Sequence, residues 1–157
     1  MKTTAALLLQ IAILLLAGAV LVFLLWEPHL EGRNANATAF EVYFHDPFLA
    51  YVYVGSLPFF AALYQAFQLL GQIRKTGTFS QDSIDRLRVI NRCALLLILF
   101  VAGAAAWILL TGDPDDRPAG VFLCLLVTVG AFVIAITAAM LARRLQKALN
   151  PADPIRA

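Results

Sequence analysis

Charge is scarce in this sequence. Only 14% of its 157 residues are Asp, Glu, Lys or Arg, against about 25% in a soluble domain. Several long stretches carry no charge at all, which excludes an ordinary water-soluble globule. HExxH, GxSxG, a Gly-rich phosphate loop and a CxxC pair are also missing, so the common metalloprotease, hydrolase, nucleotide-binding and dithiol signatures are absent. The two cysteines, Cys93 and Cys124, begin different apolar runs at opposite ends. Read as helices, those runs hold them about 25 Å apart, and a disulfide needs Cα atoms within about 7 Å. Both read as small apolar packing residues.

Histidine is nearly absent. His29 and His45 share one loop with Glu27, Glu31, Glu41 and Asp46. Two histidines and a carboxylate can hold zinc, but this spacing fits no ligand pattern. The expectation is no metal, no cofactor and no catalytic residue. An enzyme acting through these histidines is a weaker reading than the two developed below.

What the chain has instead is apolar length. Hydrophobic residues make up 61% of it. Four runs reach the roughly 20 residues that a helix needs to cross a bilayer. They are Ala5–Trp26, Phe48–Gly71, Cys93–Thr111 and Gly120–Ala142. The expected fold is all-α: a polytopic four-helix membrane bundle forming one domain over residues 1–157. The first run resembles a signal peptide in its Lys2 and its "AGA" at Ala17–Ala19. Cleavage there would leave "VLVFLLW" at a new N-terminus, and the run continues to an interfacial Trp26. It is read as a retained span.

The cores of all four runs lack Asp, Glu, Lys, Arg and His. Proton- and ion-coupled carriers place such groups inside their spans, so that class is disfavoured. Thr128 and Thr137 can bond within their own helix.

The basic residues are unevenly placed. Arg74, Lys75, Arg86, Arg88 and Arg92 lie between the second and third runs, Arg143, Arg144, Lys147 and Arg156 follow the fourth, and Lys2 precedes the first. The other two loops carry only Arg33 and Arg117. Lys and Arg stay on the cytoplasmic side, so both termini are expected in the cytoplasm. This basic face suits anionic lipid headgroups and gives no sign of nucleic-acid binding.

Polar side chains inside the spans are few. Gln10 lies in the first. In the second, Tyr53, Tyr64 and Gln68 share a face, Gln65 flanks it, and Pro58 should kink the helix one turn after Gly55 and Ser56. Gln10 and Gln68 lie at similar depth. One hydrogen bond between helices, worth about 0.6 kcal/mol, is the plainer reading; a polar cavity open to the cytoplasm is the sharper one. Small residues gather in the third run at Ala102–Ala106 and in the fourth at Gly130, Ala131, Ala135 and Ala139. They predict the tightest seam of the bundle, and the same spacing can drive homodimerisation.

The stretch "GTFSQDSIDRLRVINRC", Gly77–Cys93, is charged yet continuous with the third run. Gly77 can end one helix and Ser80 can cap the next. Ile84, Leu87 and Ile90 then fall on one side, and Asp82, Asp85, Arg86 and Arg92 on the other, with Asp82–Arg86 an (i, i+4) pair. The third helix is therefore expected to start at Ser80 and extend about three turns into the cytoplasm before it enters the membrane. Between the third and fourth runs, Gly112, Pro114, Pro118 and Gly120 predict a break in both helices. In the first outer loop, "ATAFEVYFHDPF" alternates like a strand or an interfacial segment.

Three pieces carry a family resemblance: "PFFAALYQAFQLLGQI" at Pro58–Ile73, the Gly77–Cys93 stretch, and "DDRPAG" at Asp115–Gly120. In content, order and spacing the chain resembles the small bacterial membrane proteins grouped as domain of unknown function 2975. The likeness covers nearly the whole chain. It implies a four-helix integral protein of the bacterial plasma membrane. It also implies a gene often placed beside a small helix-turn-helix regulator, and it supplies no catalytic residues.

Two functional readings follow. The first is a regulatory or interaction protein that offers Arg74, Lys75, Arg86, Arg88 and Arg92 to a soluble partner such as a transcriptional regulator. The second is a protein that binds or transports a small apolar molecule or lipid. Its pocket would lie at the kinked second helix, with Gln10, Tyr53, Pro58, Tyr64, Gln65 and Gln68 as candidates.

Overall fold

No water reaches a bilayer core, so a spanning backbone must satisfy its own amides, and an apolar run becomes a helix. The computed structural model describes residues 3–30, 47–112, 114–115 and 117–149. Nearly all of them lie in four helices: α1 Thr3–Leu30, α2 Pro47–Thr76, α3 Gln81–Thr111 and α4 Arg117–Leu149. All four are long and apolar enough to cross a membrane. Among the described residues there is no strand. Positions 37–46, where alternation suggested a strand or interfacial segment, lie outside them.

Each predicted run sits inside one helix, and each helix outruns it. The 31 residues of α3 span roughly 46 Å, against roughly 30 Å for a hydrocarbon core. Its surplus is the charged start, as expected. Gly77 ends α2 at φ +70, a left-handed conformation that only glycine adopts without a Cβ penalty. Its N–H donates to the Ile73 carbonyl at 2.8 Å. Ser80 caps α3 from extended backbone, φ −125 and ψ 176. Its carbonyl accepts the Ser83 N–H at 3.0 Å, and its own N–H donates to Ser83 Oγ at 3.2 Å. The Ser80 hydroxyl reaches back across the turn and accepts from Gln72 Nε2 at 2.7 Å.

The turn between α3 and α4 is shorter than the sequence suggested. The Gly112 N–H closes α3 on the Ile108 carbonyl at 2.9 Å. Arg117 Nε then donates to the Gly112 carbonyl at 2.9 Å. Pro118 and Gly120 do not break the helix; they lie in the first turn of α4. Pro fits there because a first-turn N–H has no helical acceptor. Gly120 lets α3 come close, since a Cβ there would meet Ile108 Cδ1 at 3.1 Å.

Packing follows chain order. α1 packs on α2, α2 on α3 and α3 on α4, and the α3–α4 contact is the most extensive. The best-packed core lies at the charged end of the bundle. There Ile84, Leu87 and Ile90 of α3 wedge against Leu69 and Ile73 of α2 and Ala138 and Ala142 of α4. Ile84 is wholly buried. The apolar face of the α3 start therefore docks on protein.

The seam on α4 is Ala131, Ala135, Ala138 and Ala142. Ala131 and Ala135 were expected, but Ala139 is only half-buried and Gly130 faces open space. Steps of four residues rotate a helix face by about 40° each, whereas alternating steps of four and three hold it on one neighbour. Gly103 of α3 faces α2, where a Cβ would collide with the Tyr51 hydroxyl. That hydroxyl donates to the Phe100 carbonyl at 2.9 Å.

Candidate functional site

Charge and polar side chains converge where the end of α2, the start of α3 and the end of α4 meet. Arg74 and Lys75 occupy the last turn of α2 and Asp82 the first turn of α3. Each sign opposes the local helix dipole favourably.

The arginines on α3 are already engaged within the bundle. Arg86 donates through Nε to Asp82 Oδ2 at 2.9 Å and through Nη1 to Gln65 Oε1 of α2 at 3.1 Å. Arg88 donates to Asp85 Oδ1 at 3.1 Å and to Gln146 Oε1 of α4 at 2.7 Å. One arginine thus ties α3 to α2 and the other ties it to α4. With side chains 28% to 60% exposed, the ion pairs themselves contribute only tenths of a kcal/mol, of order ~0.5. Their effect is positional. Arg74, Lys75 and Arg92 are exposed to solvent.

Beside this cluster lies a groove of about 550 Å³. One wall is α1, with Leu7, Ile11 and Leu14; Phe67 and Gly71 of α2 form the floor. Arg74, Lys75, Thr76, Asp82 and Arg86 make the rim, and Gln10, Gln68 and Gln72 add polar groups. Gln10 is buried on α1. Its Nε2 donates to the Phe67 carbonyl at 3.1 Å, so the bond between the helices forms with backbone and not with Gln68. Gly71 permits this approach, because a Cβ there would meet Gln10 Nε2 at 3.1 Å.

The pocket residues read from sequence are dispersed. Gln10 and Gln68 line the groove. Tyr64 reaches it only by accepting from Gln68 Nε2 at 2.8 Å, and Gln65 is held by Arg86. Tyr53 belongs to the far end, where its hydroxyl donates to the Leu24 carbonyl of α1 at 2.9 Å. Pro58 lies inside α2 and is not a lining residue.

Gln72, Gln146 and Tyr51 were not singled out in the sequence. Helical spacing did place Gln72 one turn beyond Gln68 on the same face. Gln72 Oε1 is buried and has no hydrogen-bond partner among the described residues. The residues weighed as metal ligands and set aside in the sequence fall in its expected first outer loop. His45, Glu31, Glu41 and Asp46, and the side chains of Glu27 and His29, lie outside the described residues. Among the described residues no three His, Cys, Asp or Glu side chains gather at one point.

The family described as protein of unknown function (DUF2975) matches residues 30–153. That segment contains α2, α3 and α4. An uncharacterized membrane protein, YoaS of Bacillus subtilis (strain 168), is 30% identical over 151 residues, covering 96% of this chain and 94% of its own. No solved structure matches.

Proposed function

The chain belongs to the DUF2975 family, and we propose that it is a membrane-embedded regulatory or interaction protein whose basic end docks a soluble partner. In this reading it lies in a bacterial plasma membrane with both termini in the cytoplasm. It performs no catalysis and binds no nucleic acid directly. The orientation rests on the concentration of Lys and Arg between α2 and α3 and after α4.

The observation that carries the reading is the rigid, outward-held start of α3. Ile84, Leu87 and Ile90 fix its inner face in the core, and Arg86 and Arg88 tie it to both neighbours. Asp85 and Arg92 are then presented outward beside Arg74 and Lys75. A preorganised charged face loses little entropy on binding and selects a partner with an acidic surface. A helix-turn-helix regulator of the kind implied by the family resemblance is the candidate.

The test is capture of soluble protein from native membranes by the full chain. Arg74→Glu with Lys75→Glu and Arg92→Glu should abolish capture of a specific acidic partner, while the Arg86 and Arg88 ties and insertion stay intact. Equal capture by the triple variant would defeat the reading.

The groove between α1 and α2 supports a second reading, in which the protein binds or transports a small apolar molecule or lipid. Its volume of about 550 Å³ lies within the usual range for small-molecule sites.

A further inference from the structure

The groove has two chemically distinct parts, and together they narrow its occupant. The wall on α1 is Leu7, Ile11 and Leu14, spaced at four and three residues and therefore on one helix face. These side chains remain 42%, 45% and 58% exposed among the described residues. The rim carries Arg74, Lys75 and Arg86 against the single carboxylate Asp82; three cations less one anion leave two positive charges. Asp82 is paired with Arg86 at 2.9 Å, so Arg74 and Lys75 supply the uncompensated charge.

The order of these parts along the helices also matters. Arg74 and Lys75 follow the apolar run of α2, which ends at Gly71. In a bilayer they would sit at headgroup level, with the apolar wall one to three turns deeper in the register that Gln10 and Phe67 set. The carbonyl end of α2 opposes an anion there, but it amounts to about half a charge against two full cations.

We propose that this groove holds one anionic phospholipid, its phosphate at Arg74, Lys75 and Arg86 and an acyl chain along Leu7, Ile11 and Leu14. The proposal rests on the binding reading of the groove and is independent of any soluble partner. A free phosphate would leave the apolar wall unused, and a neutral lipid would leave the rim uncompensated. The lipid enters sideways from the bilayer, because the extensive packing of α1 among the described residues is on α2 and its Leu7, Ile11 and Leu14 stay exposed.

The test is native mass spectrometry of the purified full chain in a neutral maltoside detergent. It is titrated with phosphatidylglycerol, with phosphatidylcholine of the same chains, and with inorganic phosphate. One phosphatidylglycerol should be retained selectively, and phosphate should not displace it. Arg74→Gln with Lys75→Gln should weaken retention about thirtyfold, from roughly a fivefold effect per basic residue near a lipid surface. Leu14→Trp should weaken it by filling the apolar wall. These side chains are exposed, so the variants keep the fold. Arg143→Gln with Arg144→Gln removes the same charge from exposed positions on α4 outside the groove and should change retention less than threefold. Equal loss in that control would reduce the effect to general surface attraction and overturn the proposal. Equal retention of phosphatidylcholine, lost in Leu14→Trp, would also overturn it while leaving the groove a lipid site. Retention of no lipid at all would overturn both the proposal and the binding reading.

Discussion

Gln72 Nε2 donates to Ser80 Oγ at 2.7 Å, joining the end of α2 to the cap of α3. The Ser80 hydroxyl therefore acts between helices as well as at a helix end. The Gln72 side chain has no second partner among the described residues, since its Oε1 is buried and unbonded. Ser80→Ala should cost about 1–2 kcal/mol of local stability. A lost cap costs about 1 kcal/mol, and a buried amide left without any partner adds to it. Amide exchange should accelerate both across Gln81–Asp85 and across Ile73–Thr76. Acceleration confined to α3 would show that the bond to Gln72 contributes nothing.

Ile84 and Leu110 differ sharply despite lying on one helix. Ile84 is wholly buried, while Leu110 is 80% exposed. Ile84→Ala should destabilise the bundle by about 2–5 kcal/mol, the range for a buried aliphatic truncation. Leu110→Ala should change stability by less than about 0.5 kcal/mol, as for an exposed site. Thermal unfolding in a mild detergent measures both. Similar shifts would mean that the stabilising core is not at the charged end.

Ala138 and Gly130 separate the observed seam from the expected one. Ala138 is 5% exposed and belongs to the core; Gly130 has nothing within 4 Å of a built Cβ. Ala138→Leu should cost about 1–3 kcal/mol by overpacking. Gly130→Ala should be neutral or slightly stabilising, because glycine weakens a helix interior by roughly 0.5–1 kcal/mol relative to alanine. The same unfolding measurement decides; a larger loss at Gly130 would restore the expected seam.

Much of the fold was legible because a bilayer leaves a chain few options. Apolar length alone gave four helices. Helical periodicity placed Ile84, Leu87 and Ile90 on the buried side, and Gly77 and Ser80 marked the ends of α2 and α3. Side-chain partners distant in sequence were not legible. Arg86 finds Gln65 and Arg88 finds Gln146, separations of 21 and 58 residues, and only the three-dimensional arrangement decides those choices. Gln10 was recognised as polar glue, but its acceptor is a backbone carbonyl, which every residue offers. The groove was half legible: Gln10 and Gln68 lie in it, while Tyr53 and Pro58 share a helix with it and little else.

Gln10 and Tyr53 fix α1 from both ends, and they permit a coupling test. Gln10 bonds the Phe67 carbonyl and Tyr53 bonds the Leu24 carbonyl. Gln10 and Leu24 are as far apart on α1 as Tyr53 and Phe67 are on α2, as antiparallel helices in register require. Gln10→Leu and Tyr53→Phe should each cost about 0.6 kcal/mol. Together they should loosen α1 by more than either alone, read as faster protease cleavage of α1 in detergent. No change in the double variant would mean that apolar packing holds α1 unaided.

Orientation decides which compartment meets the basic end, and the charge pattern makes a definite prediction. Arg33 and Arg117 are the basic residues in the two loops expected outside. Arg117 is held against the end of α3, since its Nε donates to the Gly112 carbonyl. The last turn of α2 holds Arg74 and Lys75 beside Thr76, which is exposed. Because Lys and Arg resist translocation, Thr76 should stay in the cytoplasm. In a chain carrying Cys93→Ala and Cys124→Ala, three single variants report this: Leu30→Cys, Thr76→Cys and Asp116→Cys. A membrane-impermeant maleimide applied to intact cells should label positions 30 and 116, and position 76 only after the cells are broken. Labelling of position 76 from outside would invert the protein. The proposed soluble partner and the leaflet supplying the groove would then both have to be sought on the opposite side.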